Sequence, residues 1–474
     1  MAATGRPAVC AAGAKGGERM DVERFDAIVL GAGPGGEVVV YRLAPRGLRV
    51  ALVERELIGG ECGYWGCVPS KTLLRPIEIA AEARRGFGIA PAALDWRRVV
   101  EYRDFMVRAY DDARQVAEYG AMGVTVVKAP GRLVGPGAVE ADGRRLEAPH
   151  VVVATGSEPV VLPVDGLSEA GYWTNREATS LRDVPRSIVV QGGGPVAVEL
   201  AQMLAGYGAE VILVQRGERL LSGLEPEAGA LLRDALERAG VRVLTGTTVV
   251  AVQGGQGGRR VSLSDGSAVT AEVFLAATGR RPRVSDVGLE TVGVTAASGL
   301  AIDRRGHVKD GPEGLWAVGD VTGVALFTHV AKYQGRAVAA NILAARGEGE
   351  PRELDHASVP RVAFTDPEVA AVGLSEAQAA AAGLPVDAAT VELSSMTRPF
   401  TYEREPHGLL KLLARRGDGV VVGATAVGPL ASEWIHVAAL AVRAGLTTSA
   451  LRDSMFQFPT FSEAYALAAE RLAG

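Results

Sequence analysis

FDAIVLGAGPGGEVVVYRL, residues 25–43, is the most informative segment for the fold of this 474-residue chain. Its apolar start predicts a strand, and its end predicts an amphipathic helix. Between them stands a GxGxxG motif formed by Gly31, Gly33 and Gly36. In such a unit the first glycine permits the turn, and the second lets a pyrophosphate approach the backbone at the helix N-terminus. A further predicted strand over 48–53 ends at Glu54, whose carboxylate is expected to accept hydrogen bonds from ribose hydroxyls.

The same pattern recurs in SIVVQGGGPVAVELAQMLAG, residues 187–206, and the strand EVILV follows it at 210–214. An internal duplication is stronger evidence than a single glycine motif. In the second copy Ala197 replaces the third glycine, and Gln215 stands where the first copy has its acid. A carboxylate there would repel a 2′-phosphate, whereas Gln215 and the nearby Arg216 and Arg219 would accept one. The second site is therefore expected to prefer NADPH, with NADH as the alternative.

Two matched segments flank the second copy, VVVATGSEP at 151–159 and VFLAATGRRP at 273–282. We interpret both as strands at which the chain leaves the first domain and later returns to it. Farther on, a strand pair at 409–415 and 420–428, with helices near 431–444 and 462–472, predicts an α+β domain. The predicted fold class is α/β, with two Rossmann-like dinucleotide-binding domains, the second inserted in the first, and an α+β C-terminal domain. The expected bounds are a tail over 1–22, a first domain over 23–157 and 282–352, a second over 158–281 and a third over 353–474.

The segment GGECGYWGCVPSK, residues 59–71, contains two of the three cysteines, Cys62 and Cys67. A CxxxxC pair at the start of a helix can close a small disulfide loop, and the helix N-terminus and Lys71 would lower the pKa of the thiols. No cluster of further Cys or His residues is available as metal ligands, so no metal is expected. A structural disulfide or two buried thiols are the alternatives, but the position behind a nucleotide-binding unit favours a redox-active pair.

Composition and charge exclude several classes of protein. The formal net charge is −5 and the basic residues are dispersed, so neither nucleic acid nor an anionic membrane is an expected partner. No uncharged apolar run approaches the roughly 18 residues of a membrane span. The first 20 residues contain Cys10 but no hydrophobic core of a secretory signal, and they are expected to form a disordered tail with Met20 as an alternative start. The expected location is the cytoplasm.

Taken in order, these motifs resemble the class I pyridine nucleotide–disulfide oxidoreductases, the family of dihydrolipoamide dehydrogenase, glutathione reductase and mercuric reductase. The resemblance runs from about Phe25 to the C-terminus and includes both dinucleotide units. Its other elements are GGxCxxxGCVPSK at 59–71, VGD at 318–320, PRVAFTDPEVAAVG at 360–373 and PTFSEA at 459–464. The resemblance implies a homodimer held by the C-terminal domain, with FAD in the first domain and NAD(P)H in the second.

The resemblance also implies roles by position. Cys62 would be the interchange thiol that meets the substrate, and Cys67 the charge-transfer thiolate against the flavin. Lys71 would lie near flavin N5 and pair with Glu199, and Glu463 would enter the active site of the partner subunit. The residues expected to bind FAD are Gly31, Gly33, Gly36, Glu54, Gly131, Ala154, Thr155, Gly156 and Asp320, which would hold the ribityl chain. Those expected to bind the nicotinamide nucleotide are Gly192, Gly194, Ala197, Gln215, Arg216, Arg219 and Gly279.

The chain departs from the family pattern at two positions. Pro195 stands where the family usually has a bulky residue that gates the nicotinamide pocket. The catalytic His-Pro-Thr-x-x-Glu of the family begins here with Phe458, so the acid Glu463 is present and the imidazole is missing. No histidine stands at a matching position among His150, His307, His329, His356, His407 and His436. The C-terminal ERLAG also lacks the paired cysteines of mercuric reductase.

The resemblance leaves the electron acceptor open. A disulfide or dithiol of the dihydrolipoamide dehydrogenase type is the first expectation. A quinone or another acceptor reduced directly by the flavin is the alternative, because neither needs the missing base. A flavin-binding or redox-sensor protein with reduced turnover is a second alternative. The chain retains Cys62, Cys67, Lys71 and Glu463, which argues against it.

Overall fold

The computed structural model describes residues 22–255 and 257–472, so the predicted tail with Cys10 lies outside the described residues. The predicted fold class is confirmed. The first nucleotide-binding unit forms a five-stranded parallel sheet, with neighbours paired through the registers Trp316↔Val152, Ile28↔Val151, Val29↔Leu52 and Leu52↔Val126. In spatial order its strands are Leu315–Ala317, His150–Val153, Ala27–Leu30, Val50–Val53 and Thr125–Val127.

The central strands of this sheet are apolar because both faces are covered. Ala27–Leu30 and Val50–Val53 are buried at every position, as expected for a parallel sheet that lies between layers of helices. Gly31 has a φ of +105°, and a Cβ there would stand 2.3 Å from the carbonyl oxygen of Ala154. The turn into the helix Pro34–Leu43 therefore requires glycine, and Pro34 is suited to the first helical position.

The second unit repeats this design. Its four-stranded parallel sheet has the order Val241–Leu244, Glu210–Val214, Ser187–Gln191 and Val273–Ala276. Gly192 has a φ of +132°, and its missing Cβ would lie 2.3 Å from the Ala277 oxygen, so the two glycine turns are built alike. The helix Pro195–Gly206 again has proline at its first position.

The two segments interpreted as crossovers lie side by side. Ser157–Pro159 and Arg280–Pro282 pair as antiparallel strands, with Glu158 opposite Arg281. The Val160 N–H also donates to the Gly279 oxygen over 2.9 Å. The chain therefore enters and leaves the second unit at one place, next to the carboxyl ends of the first sheet.

The C-terminal part is a five-stranded antiparallel sheet covered by helices. Its strands in spatial order are Arg361–Ala363, Glu368–Gly373, Val421–Gly428, Leu409–Arg415 and Val386–Glu392. The helix predicted over 431–444 is two helices, which meet at Ile435. Trp434, Phe461 and Tyr465 pack together in the core beneath them.

The remaining elements connect these layers. A four-stranded sheet has the order Val22–Arg24, Arg144–Glu147, Ala138–Ala141 and Gly131–Gly135, and a three-stranded sheet contains Val249–Gly255, Gly258–Leu263 and Ala268–Ala271. The other α-helices are Gly60–Tyr64, Cys67–Arg85, Trp96–Met106, Ala113–Ala121, Leu167–Ala170, Asn175–Ser180, Pro226–Arg238, Thr328–Ala345, Glu376–Ala381, Thr397–Phe400, Ala431–Trp434, His436–Ala444, Thr448–Arg452 and Glu463–Leu472. No helix in the described part of the chain is both long enough and apolar enough to cross a bilayer.

Candidate active site

A cavity of about 1000 Å³ lies at the carboxyl ends of the first parallel sheet. This is the end of a doubly wound sheet at which ligands bind. The first unit supplies Gly33 and Cys67 to its wall, and the second unit supplies Pro195. Phe364 and His436 extend the wall into the C-terminal part of the chain. All three parts of the fold therefore meet around one space large enough for an extended ligand.

The two cysteines face this cavity as free thiols. Cys67 is the first residue of the helix Cys67–Arg85, and Cys62 lies in the preceding short helix Gly60–Tyr64. The Cys67 sulfur is 3.4 Å from the Thr328 hydroxyl oxygen. A hydrogen bond from Cys62, helped by Thr328 and the charge of Lys71, lowers the pKa of Cys67 to about 6. Its hydrogen bond to Cys67 and its burial raise the pKa of Cys62. Cys67 is thus the thiol that ionises first.

Lys71 and Glu199 form an ion pair across the two units. The Lys71 ammonium donates to the Glu199 carboxylate over 2.6 Å, and that carboxylate is 6% exposed. Its other oxygen accepts from the Phe364 backbone N–H over 2.9 Å. The ammonium also stands 4.8 Å from the centre of the Phe364 ring. Lys71 is therefore held in one place, one helical turn beyond Cys67, with partners from both other parts of the chain.

Asp320 also lines the cavity, at the start of the short 3₁₀ helix Gly319–Thr322. Its carboxylate accepts a hydrogen bond of 2.6 Å from the Ser157 hydroxyl, which in turn accepts from Arg280 over 2.8 Å. Burial raises the pKa of Asp320, and the hydrogen bond from Ser157 and the charge of Arg280 partly offset this rise. A buried carboxylate of this kind favours hydroxyl partners, which it can bind without a full opposing charge.

The residues along the cavity fit FAD. Glu54 is buried, and its two oxygens accept from the backbone N–H groups of Ala32 and Glu56, each over 2.7 Å, which fixes the carboxylate at the strand end. Apart from its two chain neighbours, no described residue has an atom within 4 Å of the position of a Cβ on Gly33, so a phosphate can approach that backbone. The buried Nε of Arg283, also on the wall, has no hydrogen-bond partner among the described residues.

Eight of the nine residues predicted to bind FAD line this cavity, and Gly36 does not. A Cβ on Gly36 would stand 2.0 Å from the Gly31 oxygen, so this glycine permits close packing of the helix on the turn instead of contact with a ligand. The eight on the wall are Gly31, Gly33, Glu54, Gly131, Ala154, Thr155, Gly156 and Asp320.

The residues predicted to bind the nicotinamide nucleotide form a second group outside this cavity. Gly194 precedes the helix Pro195–Gly206, and in the described part of the chain only its sequence neighbours come within 4 Å of its Cβ position. The Gln215 side chain lies against Gly193, where an added Cβ would be 2.7 Å away. Arg216 and Arg219 are exposed, and neither forms an ion pair within the described residues. Gly192, Ala197 and Gly279 complete the group, with Ala197 fully buried beneath the turn.

Phe458 and Glu463 do not line the cavity of their own chain. The Phe458 ring is 62% exposed, and one oxygen of Glu463 accepts from the Thr460 N–H over 3.0 Å at the start of the helix Glu463–Leu472. Among the described residues, no group of three Cys, His, Asp or Glu side chains is placed to hold a metal ion.

Two histidines to which the sequence analysis gave no role are on the cavity wall, His329 and His436. His329 follows Thr328, the residue in contact with Cys67, and its Nε2 lies 2.9 Å from the carbonyl oxygen of Pro360. Because a carbonyl only accepts, Nε2 carries the hydrogen and Nδ1 of the neutral ring is left as a base. Burial lowers the pKa of His329, which favours that neutral form. No sequence signal marked either residue, since Pro360 is 31 positions from His329.

Comparison with known proteins covers nearly the whole chain. A family model described as pyridine nucleotide-disulphide oxidoreductase matches residues 25–335, and the dimerisation domain of the same family matches residues 359–469. A mercuric reductase of Streptomyces lividans is 36% identical over 464 residues, covering 94% of this chain and 96% of the relative. Dihydrolipoyl dehydrogenase 3 of Pseudomonas aeruginosa is 35% identical over 470 residues, covering 94% and 98%.

Solved structures agree with this result. LpdA of Mycobacterium tuberculosis has 28% sequence identity and a TM-score of 0.83, with 95% of this chain and 99% of that chain covered. The flavoprotein disulfide reductase RclA of Escherichia coli has 23% identity and a TM-score of 0.84, with 95% and 100% covered, a similarity that concerns the fold.

Proposed function

Because the chain belongs to the pyridine nucleotide-disulphide oxidoreductase family, whose members are flavin-dependent enzymes acting on sulfur groups, we propose a specific route for its electrons. Two electrons from NADPH, or NADH, reduce the Cys62–Cys67 disulfide to two thiols, and the thiols then reduce a disulfide substrate. Bound FAD supplies the two-electron transfer between nicotinamide and cysteines. The observation that carries the proposal is the meeting of Cys67, the Lys71–Glu199 pair and Pro195 of the second unit around one cavity.

The thiol step follows the roles that the family resemblance assigns to the two cysteines. The Cys62 thiolate attacks a substrate sulfur, one substrate thiolate leaves, and a mixed disulfide forms. Cys67 then attacks the Cys62 sulfur, which closes the disulfide again and releases the second substrate thiolate. Two protons are needed by the leaving groups, so the step requires an acid. Run in reverse, the same site oxidises a dithiol and requires a base.

A second candidate function is direct reduction of a quinone or a similar acceptor, and Phe458 favours it. Phe458 stands where the family has its histidine, and an aromatic ring can neither donate nor accept the proton that thiol exchange needs. A quinone takes electrons without passing through the Cys62–Cys67 pair. Phe458 is exposed and lies in the segment that matches the family's dimerisation domain. Its ring could therefore contact an apolar acceptor bound between two subunits.

An acceptor screen with NADPH tests the two candidates. We expect slow turnover with oxidised lipoamide and glutathione disulfide, and faster turnover with a quinone or a redox dye. Mercuric ion belongs in the screen because the Streptomyces lividans relative is named for it. Fast disulfide reduction with no quinone activity would contradict direct quinone reduction. Quinone reduction with no activity on any disulfide would contradict the disulfide route. We place the reaction in the cytoplasm, in a homodimer.

Nucleotide preference is a further expected result. The wild type should prefer NADPH, and Arg216→Glu should reverse the preference by roughly 1–3 kcal/mol, because a carboxylate would face the 2′-phosphate in place of a guanidinium. The measurement is kcat/KM with each nucleotide. Arg238→Glu, at another exposed arginine at the end of the helix Pro226–Arg238, is the control and should leave the ratio unchanged. A wild type that prefers NADH would refute the assignment of Gln215, Arg216 and Arg219.

A further inference from the structure

Two residues of the cysteine segment, Glu61 and Trp65, stand at positions that the family signature GGxCxxxGCVPSK leaves free. Both contact the helix Asn175–Ser180, which belongs to the inserted second unit. The Trp65 carbonyl accepts from Asn175 over 2.8 Å and from Thr179 over 3.1 Å. The loop between the two cysteines is thus tied to another domain of the fold by two hydrogen bonds to one backbone oxygen.

Arg176 forms the charged part of this contact. Its Nε donates to Glu61 over 2.6 Å, and one terminal nitrogen donates to Glu56 over 2.7 Å. The guanidinium also stacks on the Trp65 ring, 4.1 Å from its centre, an arrangement favourable for a cation over an indole. Arg280 approaches the other Glu61 oxygen at 3.5 Å. Glu61 is therefore compensated by two guanidinium groups.

Glu61 is located where its charge can affect a reactive thiol. Glu61 directly precedes Cys62, and Glu61, Trp65 and Arg176 all line the cavity into which the cysteines face. A carboxylate beside a thiol opposes formation of its thiolate, and a neighbouring guanidinium favours it. A tie serving only to hold two domains together would not need its charges at the residue adjacent to the thiol.

We propose that Glu61 and Arg176, here called the Glu61–Arg176 clamp, are positioning residues that set the thiol reactivity of Cys62 by the balance of their charges. The clamp rests on the proposed role of Cys62 as the thiol that meets the substrate. Neither residue reacts itself. Both act through Cys62, whose loop stays anchored by the hydrogen bonds from Asn175 and Thr179 to the Trp65 oxygen.

The two members of the clamp predict effects of opposite sign. Arg176→Gln removes the positive charge that offsets the Glu61 and Glu56 carboxylates, so formation of the Cys62 thiolate becomes less favourable. Glu61→Gln leaves Arg176 and Arg280 without one of their carboxylates, so thiolate formation becomes easier. The double variant should lie near the parent. The other groups around the cysteines and the clamp are the same in all variants. Thr328 hydrogen-bonds the cysteine pair, Lys71 and Glu199 act on the position of Cys67, and Glu56, Asn175 and Arg280 contact the clamp.

The test measures alkylation of Cys62 by iodoacetamide across pH in the FAD-loaded full chain. A Cys10→Ser/Cys67→Ser background leaves Cys62 as the one cysteine of the sequence. At pH 7 we expect Arg176→Gln to slow alkylation roughly 3- to 10-fold and Glu61→Gln to accelerate it by a similar factor. Their pH profiles should move in opposite directions. Arg281→Gln, at an exposed arginine next to Arg280, is the matched control and should change neither rate nor profile.

Rates that shift in the same direction in both single variants would show a structural tie and overturn the proposal, as would rates equal to the parent. The alkylation rate needs no electron acceptor, so it reports on the clamp whichever substrate the enzyme uses. The proposed function is tested separately, by the acceptor screen with the clamp intact. A failure of one is therefore distinguishable from a failure of the other.

Discussion

Replacing Phe458 by histidine is expected to raise the turnover of oxidised lipoamide by a large factor. A positioned general acid–base group contributes about 10²–10⁴-fold to such a step. The family pairs its histidine with the glutamate five positions on, and Glu463 is present here. That glutamate has one oxygen bonded to the Thr460 N–H, which leaves the other free to orient an imidazole.

The control for this variant is Phe458→Asn, which removes the aromatic ring without adding a base. We expect Phe458→Asn to leave lipoamide turnover near the wild-type rate. Both variants should lower the turnover of an apolar acceptor. A wild-type turnover on the order of hundreds per second, unchanged by Phe458→His, would show that another group supplies the proton. His329 would then be the first residue to replace, by His329→Gln, because it lies on the cavity wall with its Nδ1 available.

The second large effect concerns the cysteines. After anaerobic addition of two electrons, the Cys67 thiolate should give a long-wavelength absorption against the oxidised flavin. Cys67→Ser should abolish this absorption, and Cys62→Ser should preserve it, because the lowered pKa belongs to Cys67. Both variants should lose disulfide reduction entirely while reducing a quinone or dye at rates near the wild type. An absorption that survives in Cys67→Ser would contradict the assignment of the two thiols.

The same absorption should depend on pH in a defined direction. The pKa of Cys67 is lowered to about 6, so the thiolate dominates above that value and is protonated below it. The absorption is therefore expected to be full near pH 8 and to fall as the pH passes down through about 6. In Cys62→Ser the midpoint should move upward, since the strongest stabilising hydrogen bond to the Cys67 thiolate is lost or weakened.

The duplicated nucleotide units could be predicted because their determinants are local. Gly31 and Gly192 each follow an apolar strand, and each has a left-handed φ with no room for a Cβ. Helix bounds were predicted less well, since the helix expected over 431–444 is divided into two at Ile435. The break at Ile435 carries no proline or glycine, so nothing in the local sequence marked it.

Contacts between distant segments could not be predicted from the residues. Arg176 stands 115 positions from Glu61, and His329 contacts a carbonyl of the C-terminal part. Charged residues are common on surfaces, so a single arginine or histidine in a sequence carries little information about its partner. The family resemblance supplied the pairing of Lys71 with Glu199, which lie 128 positions apart, and the structure has that contact at 2.6 Å. The family signature leaves the positions of Glu61 and Trp65 unspecified, so the resemblance gave no prediction of their partners.

In the proposed route, electrons from NADPH reach the Cys62–Cys67 pair. Its most direct test is an anaerobic titration of the oxidised wild-type protein with NADPH, with free thiols counted after each addition. We expect two new thiols per chain after the first two electrons, and none in Cys62→Ser or Cys67→Ser beyond those present before reduction. Loss of the visible flavin absorption with no new thiols in the wild type would contradict it, because the electrons would then stop short of the cysteines.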